Sequence, residues 1–439
     1  MTETFAAAYA CLLVALLIYI KRRYGLYVSA RTVVLGWIWM VCGPPHLYYL
    51  VSGKLPGWLF IRMTLAFGLM FAGLVIGIEG MRLLAPARFR AAERLARDWR
   101  HLEISKGYIP PSVLVLVCTL GALFLLVVSV WERQLIHVME FVSLGGRTDD
   151  VAEYRGTVGG SRLYLYNVFL SSVGPFLSFL LQLTPSSRHP FIRPLRWIFV
   201  ALILMGKIAL FNRSAAALYV VQLLMLRPLL RDNRIRLGTL LKGLVLVGVL
   251  MFPAFYHYLG DIPLGQFISF YLLDRMFLAP YYGMVNYFMR FPDLMPHAMG
   301  RNVSIINTLW YGSETYTPAM VRFAEEAGNY FGSFNAAFVA EAWADFSYPG
   351  VFVVSLIVGV FSAFADLVIF PGTKRTREGV AILACVVYGV FVLSATAAQT
   401  ALFSGGLALV PLTALALKMF ARASRRRTAP QAPLREATP

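Results

Sequence analysis

The chain has 439 residues, of which 59% are hydrophobic and only 14% charged, against roughly 25% charged in a soluble domain. Its net charge of +18 would point to nucleic acid in a soluble protein. In a chain of mean hydropathy +0.67 the positive-inside rule explains the same excess and leaves no role for nucleic acid.

Apolar runs of roughly 18 or more residues, each long enough to cross the hydrocarbon as a helix, recur along the whole sequence. The fold class expected is all-α: a polytopic transmembrane helix bundle with about eleven spans. A single membrane domain would fill residues 1–427, with no separate soluble domain and with membrane lipids as its solvent.

In chain order, the start is acidic, and Lys21, Arg22 and Arg23 follow the first apolar run instead of preceding it. That order is the reverse of a secretory signal, so residues 5–20 are expected as an uncleaved span entering from outside. Residues 33–51 then run outward and 58–78 inward, to a loop carrying Arg82, Arg88, Arg90, Arg94, Arg97, Arg100 and Lys106. Residues 111–131 lead out to a loop in which Arg133, Asp149, Asp150, Glu153, Arg155 and Arg162 balance in charge, and 163–183 lead back to Arg188, Arg193 and Arg196. A tight pair, 197–211 and 215–226, is hinged near Asn212, Arg213 and Ser214. After Arg227, Arg231, Arg234 and Arg236, residues 240–256 run outward. The last spans are 351–370, 380–396 and 401–419, with Lys374, Arg375, Arg377, Arg422, Arg425, Arg426 and Arg427 on the inner side. Every dense basic cluster then shares one side. The N-terminus is expected outside, the C-terminus inside, and 428–439 as a disordered cytoplasmic tail.

Between the eighth and ninth spans lies a long helical segment, 257–350, expected as a periplasmic loop with a helix returning to the membrane. It carries Arg290, Arg301, Arg322, Tyr281, Tyr282, Trp310 and Asn335. Guanidinium groups match phosphate oxygens, and aromatic faces suit sugar rings and the membrane interface. The same residues also suit a plain interfacial cap of salt bridges and aromatic belt. In Asn335–Gly350, Glu341 and Asp345 share a helical face. Such carboxylates can serve as general base toward a sugar hydroxyl or as counterions to arginine.

Charges at membrane depth are costly and commonly face a bundle interior. Lys207 and Arg213 are either of that kind or snorkelling side chains, and Asp366 is expected to pair with Lys374 or Arg375 at the inner edge. Cys11, Cys42, Cys118 and Cys385 and the six histidines show no metal or disulfide spacing. No nucleotide-binding or hydrolase motif occurs, so neither cofactor nor metal is expected.

Four features together resemble the Wzy-type oligosaccharide repeat-unit polymerases, bacterial inner-membrane proteins that extend O-antigen and exopolysaccharide chains. They are the span number; Arg213-Ser214-Ala215; Arg275 followed by Tyr281-Tyr282; and Asn335 to Phe338 leading through Glu341 and Asp345-Phe346 to Gly350. The family's Phe-Gly-x-x-Gly ending is here Phe346-Ser347-Tyr348-Pro349-Gly350. The resemblance implies transfer of a glycan from undecaprenyl diphosphate onto the next carrier-linked oligosaccharide at the periplasmic face, with a flippase and a chain-length regulator as partners. Glu341, Asp345 and Arg275 would then be catalytic. Arg213, Arg290, Arg301, Arg322, Tyr281, Tyr282, Trp310 and Asn335 would bind substrate. A ligase of finished glycan and a transporter or flippase of lipid-linked sugars are the alternatives.

Overall fold

A computed structural model describes residues 2–25, 27–105, 107–133, 164–209, 213–232, 263–266, 277–312, 319–326, 335–372 and 374–428, with a few isolated positions besides. Among these the chain is helical throughout, its only β contact an isolated bridge between Ile104 and Arg375. The first half supplies α1 (Thr2–Tyr24), α2 (Ala30–Val51), α3 (Gly57–Leu84), α4 (Pro86–Asp98), α5 (Pro111–Trp131), α6 (Tyr164–Leu183), α7 (Ile192–Ala209) and α8 (Arg213–Arg231). The second supplies α9 (Ala279–Arg290), α10 (Ser304–Tyr311), α11 (Ala319–Glu326), α12 (Phe338–Ile369), α13 (Arg377–Leu393), α14 (Ala398–Leu402) and α15 (Leu409–Thr428).

Five of the described helices are long and apolar enough to cross a membrane: Thr4–Tyr24, Gly57–Leu84, Pro111–Trp131, Tyr164–Leu183 and Phe338–Ile369. The protein is therefore a helical membrane protein. Its outer helices turn apolar side chains outward: on α5, Leu116, Leu120, Leu123 and Val127 recur at helical spacing and are each more than half exposed. In water such a stripe would be an association hazard; in lipid it is the expected surface.

Helices α3 and α12 form the centre of the bundle. Their backbones meet where side chains are smallest: a Cβ added at Gly73 would lie 2.6 Å from the Phe352 carbonyl oxygen, and one at Gly77 or Gly359 would collide with the carbonyl of Leu356 or Leu74. Small residues four apart allow this approach, and dispersion between the apposed backbones stabilises it where lipid supplies no hydrophobic drive.

At the end of α12, buried Asp366 accepts from the backbone N–H of Ala30 at 2.6 Å and from Arg31 Nε. Arg31, only 1% exposed, also reaches Glu93 on α4 at 3.5 Å. The partner expected for Asp366 is thus replaced: Lys374 reaches Glu103 at 3.4 Å, and Arg375 donates to the Leu230 carbonyl at 2.7 Å. Lys207 does not snorkel. It is 3% exposed, with Nζ 5.6 Å from the Tyr388 ring centre.

The expected pair 197–211 and 215–226 corresponds to α7 and α8. The span 240–256 lies almost wholly outside the described residues, as do the outer loop after Arg133 and residues 429–439 of the tail. The expected run 401–419 is interrupted. Short α14 ends in a turn holding Gly406 at φ +82° before α15 begins, a conformation in which glycine avoids the Cβ clash.

Candidate functional site

The signature segment and the ninth span form one element, α12, bent in its first third. Phe346 (φ −136°, ψ 17°) and Ser347 (φ 58°, ψ −149°) leave helical geometry, and Pro349, lacking an N–H, follows. Where the resembled family has glycine, this chain places Ser347 at positive φ, a strained conformation for a residue with a Cβ. Gly350 closes the bend, because a Cβ there would lie 2.5 Å from the Ala342 carbonyl oxygen.

Both signature carboxylates are buried before this bend, and their surroundings differ. Asp345 Oδ1 accepts from the backbone N–H of Gly300 at 3.2 Å, the backbone N–H of Asn302 at 3.3 Å and Asn302 Nδ2 at 2.9 Å. The strapping continues along the backbone, with Ala298 N–H donating to the Ala344 carbonyl at 2.9 Å and Met299 N–H to the Asp345 carbonyl at 3.0 Å. The Asn302 side-chain oxygen in turn accepts from the N–H of Ala319, the first residue of α11, at 3.0 Å. Asp345 therefore ties residues 298–302 and, through Asn302, α11 to the bundle. Glu341 is 8% exposed and has no hydrogen-bond or ion-pair partner among the described residues. A carboxylate held by three donors is committed to structure; one without partners is free to take a proton.

The strapped loop forms the floor of an open cavity of about 390 Å³ lined by Phe291, Leu294, Met295, Pro296, His297, Ala298, Met299, Arg301, Tyr311 and Arg322. Two of the expected arginines, Arg301 and Arg322, thus line the same cavity. Arg301 lies over the Tyr311 ring at 4.6 Å, and the neighbouring Trp310 is 82% exposed. Arg290 pairs with Glu326 and lies 4.5 Å over the Phe323 ring, while Arg322 Nε is 3.6 Å from the same Glu326. Cationic donors, exposed aromatic faces and an apolar rim at Leu294 and Met299 stand together, a surface suited to an anion carried on a lipid.

The other expected residues do not gather here. Tyr281 is a core residue: it is fully buried, its hydroxyl 2.6 Å from His46 Nδ1, and the other nitrogen of that imidazole is 2.9 Å from Thr64 Oγ1. A role in stacking on sugar is therefore corrected for Tyr281, because an apolar α9 packed against α2 turns it inward. Tyr282, the next residue, is half exposed. Asn335 is exposed, and its carbonyl abuts Gly283, where any Cβ would collide. Arg213 opens α8, its side chain outside the described residues, and Arg275 lies outside them altogether.

Arg62, on α3, was missed. Its guanidinium donates to Asp293 at 2.8 Å and to the carbonyls of Phe288 and Phe291 at 3.0 and 3.3 Å, and stands 4.8 Å from the Trp58 ring. It fastens the loop that begins the cavity wall. A lone arginine in the apolar run around it is the signal that could have found it, by the same reasoning that singles out Lys207. Asn302 had no such signal, since its role exists only once Asp345 is opposite.

Among the described residues no group of three or more His, Cys, Asp or Glu is placed to hold a metal ion. No protein-family model matches the chain, and neither does any curated protein or solved structure.

Proposed function

We propose that this membrane protein is a glycosyltransferase that polymerises oligosaccharide repeat units carried on undecaprenyl diphosphate, at the periplasmic face of a bacterial inner membrane. The observation that carries the reading is the division of labour on α12. Asp345 holds the loop that presents Arg301, while Glu341, one turn earlier on the same helix, is a buried carboxylate without a hydrogen-bond or ion-pair partner among the described residues.

In the reaction, an acceptor sugar hydroxyl attacks C1 of the donor glycan's reducing-end sugar. The C1–O bond to the diphosphate breaks, and undecaprenyl diphosphate leaves with the bonding electron pair. Glu341 takes the hydroxyl proton. Arg301 and Arg322 hold the diphosphate and stabilise the charge that develops on it, the contribution that preorganised donors make most strongly. Arg213 and Arg275 join them in this reading, and Trp310 and Tyr282 stack on sugar. The topology that goes with it has about eleven spans, the segment 257–350 on the periplasmic side, the N-terminus outside and the C-terminus in the cytoplasm. A flippase supplies the substrate, and a chain-length regulator is the expected partner.

The test is a purified preparation in detergent given synthetic carrier-linked repeat units and no nucleotide. A ladder of lengthened carrier-linked glycan is expected. Unchanged single repeats would sink the proposal. Transfer of an intact glycan to a different acceptor, without lengthening, would mean a ligase.

A further inference from the structure

Arg322 lines the cavity, yet a carboxylate of the protein already occupies it. Glu326, one turn further along α11, lies 3.6 Å from Arg322 Nε through Oε1 and pairs with Arg290 through Oε2. One side chain thus bridges two cations from different helices. Arg290 is also held independently, over the Phe323 ring, so withdrawal of Glu326 leaves Arg290 seated and opens Arg322. The pair is solvent-accessible, Arg322 being 55% exposed and Glu326 43%. A contact of that kind is weak and screened by solvent, so a singly charged anion gains little by displacing it whereas a more strongly charged one can.

The cavity's position supplies the competing anions. Its rim residues Leu294 and Met299 are 77% and 59% exposed, the surface expected beside lipid. Phospholipid headgroups there carry a single phosphodiester charge. A diphosphate carries more charge and more oxygens, and can engage a guanidinium fork through two of them.

We infer that Glu326 is a specificity-determining residue, an internal anion that excludes singly charged phosphodiesters from Arg322 and yields to a diphosphate. The inference deepens the proposed reading of the site and rests on it for the identity of the diphosphate as that of a lipid carrier. Selection here is negative: the carboxylate adds nothing to binding the correct ligand and acts by repelling the wrong one.

The experiment measures binding of inorganic pyrophosphate and of dimethyl phosphate to the full chain in neutral detergent, by calorimetry. Wild type is expected to bind pyrophosphate and to discriminate against dimethyl phosphate. In Glu326→Gln, dimethyl phosphate affinity should rise up to about fivefold, equivalent to roughly 1 kcal/mol, with a smaller gain for pyrophosphate. Arg322→Gln should lose pyrophosphate binding in either background. Glu326→Ala should behave as Glu326→Gln, which guards against a fault of one variant. No binding of pyrophosphate to wild type, or unchanged dimethyl phosphate affinity in both Glu326 variants, would overturn the inference. Neither measurement needs glycan transfer. Discrimination without lengthening of carrier-linked repeats would refute the polymerase reading alone, and lengthening without any Glu326 effect would refute this inference alone.

Discussion

Replacing Glu341 by Gln and Asp345 by Asn, two changes that look equivalent in sequence, should give opposite results. Asp345 Oδ1 accepts three hydrogen bonds, from Gly300 N–H, Asn302 N–H and Asn302 Nδ2. A bond to a charged group contributes about 1.5 to 3 kcal/mol, a neutral one about 0.5 to 1.5. Asparagine keeps the acceptor and loses the charge, so roughly 1 kcal/mol per bond, or about 3 kcal/mol over the three, should go. In Glu341→Gln no bond between described residues is broken, and a buried charge-bearing group is replaced by a neutral one of the same shape. The unfolding midpoint in detergent should therefore fall by several degrees for Asp345→Asn and stay at or above wild type for Glu341→Gln. Glycan lengthening should run the other way. Glu341→Gln should drop by about 10²- to 10⁴-fold, the usual contribution of a general base. Asp345→Asn should keep partial activity, with a raised KM from a loosened Arg301 loop. An Asp345→Asn protein that melts like wild type, or a Glu341→Gln protein that makes a full ladder, would show that the roles have been assigned wrongly.

Two further outcomes test the bundle. Arg31→Ala strands Asp366, which is fully buried and keeps the backbone N–H groups of Ala30 and Arg31 but loses the guanidinium charge; a loss of about 3 to 5 kcal/mol is expected. The double change Arg31→Met with Asp366→Leu should recover most of it, and a double-mutant cycle of thermal unfolding midpoints reads this directly. At the α3–α12 crossing, Gly77→Leu drives a side chain into the Leu356 carbonyl and must separate the helices. Misassembly or a loss of folded yield is expected, whereas Gly80→Leu, where a Cβ meets nothing within 4 Å, should be tolerated. Equal yields of the two, by size-exclusion chromatography, would argue against the crossing.

What could be read from the sequence depended on whether the physics was local. The α5 span was located to the residue, because hydropathy and the Pro110-Pro111 start are both properties of one segment. The α6 span, Tyr164–Leu183, was placed nearly as well for the same reason, whereas α3 runs on to Leu84, past its expected end at Ile78. Pairings between distant segments could not be read in this way. Asp366 met Arg31 from the far end of the chain, although Lys374 and Arg375 were nearer in sequence. Tyr281 and Tyr282 form one dipeptide, yet helical geometry turns the first into the core against His46 and leaves the second half exposed.

The signature segment shows the same limit inside the site. The spacing of Glu341 and Asp345 put both on one helix, as α12 has them, but it could not distinguish their roles. That distinction comes from Gly300 and Asn302, some forty positions upstream, whose N–H groups converge on Asp345 while Glu341 has no hydrogen-bond or ion-pair partner among the described residues. Ser347, at φ 58°, marks the point where α12 bends. If that bend sets the direction in which Glu341 leaves the bundle, Ser347→Gly should relieve positive-φ strain of about 1 kcal/mol or more and raise the unfolding midpoint without reducing glycan lengthening. A rise in midpoint accompanied by loss of the ladder would mean that the strained serine itself, and not the bend alone, is part of the site.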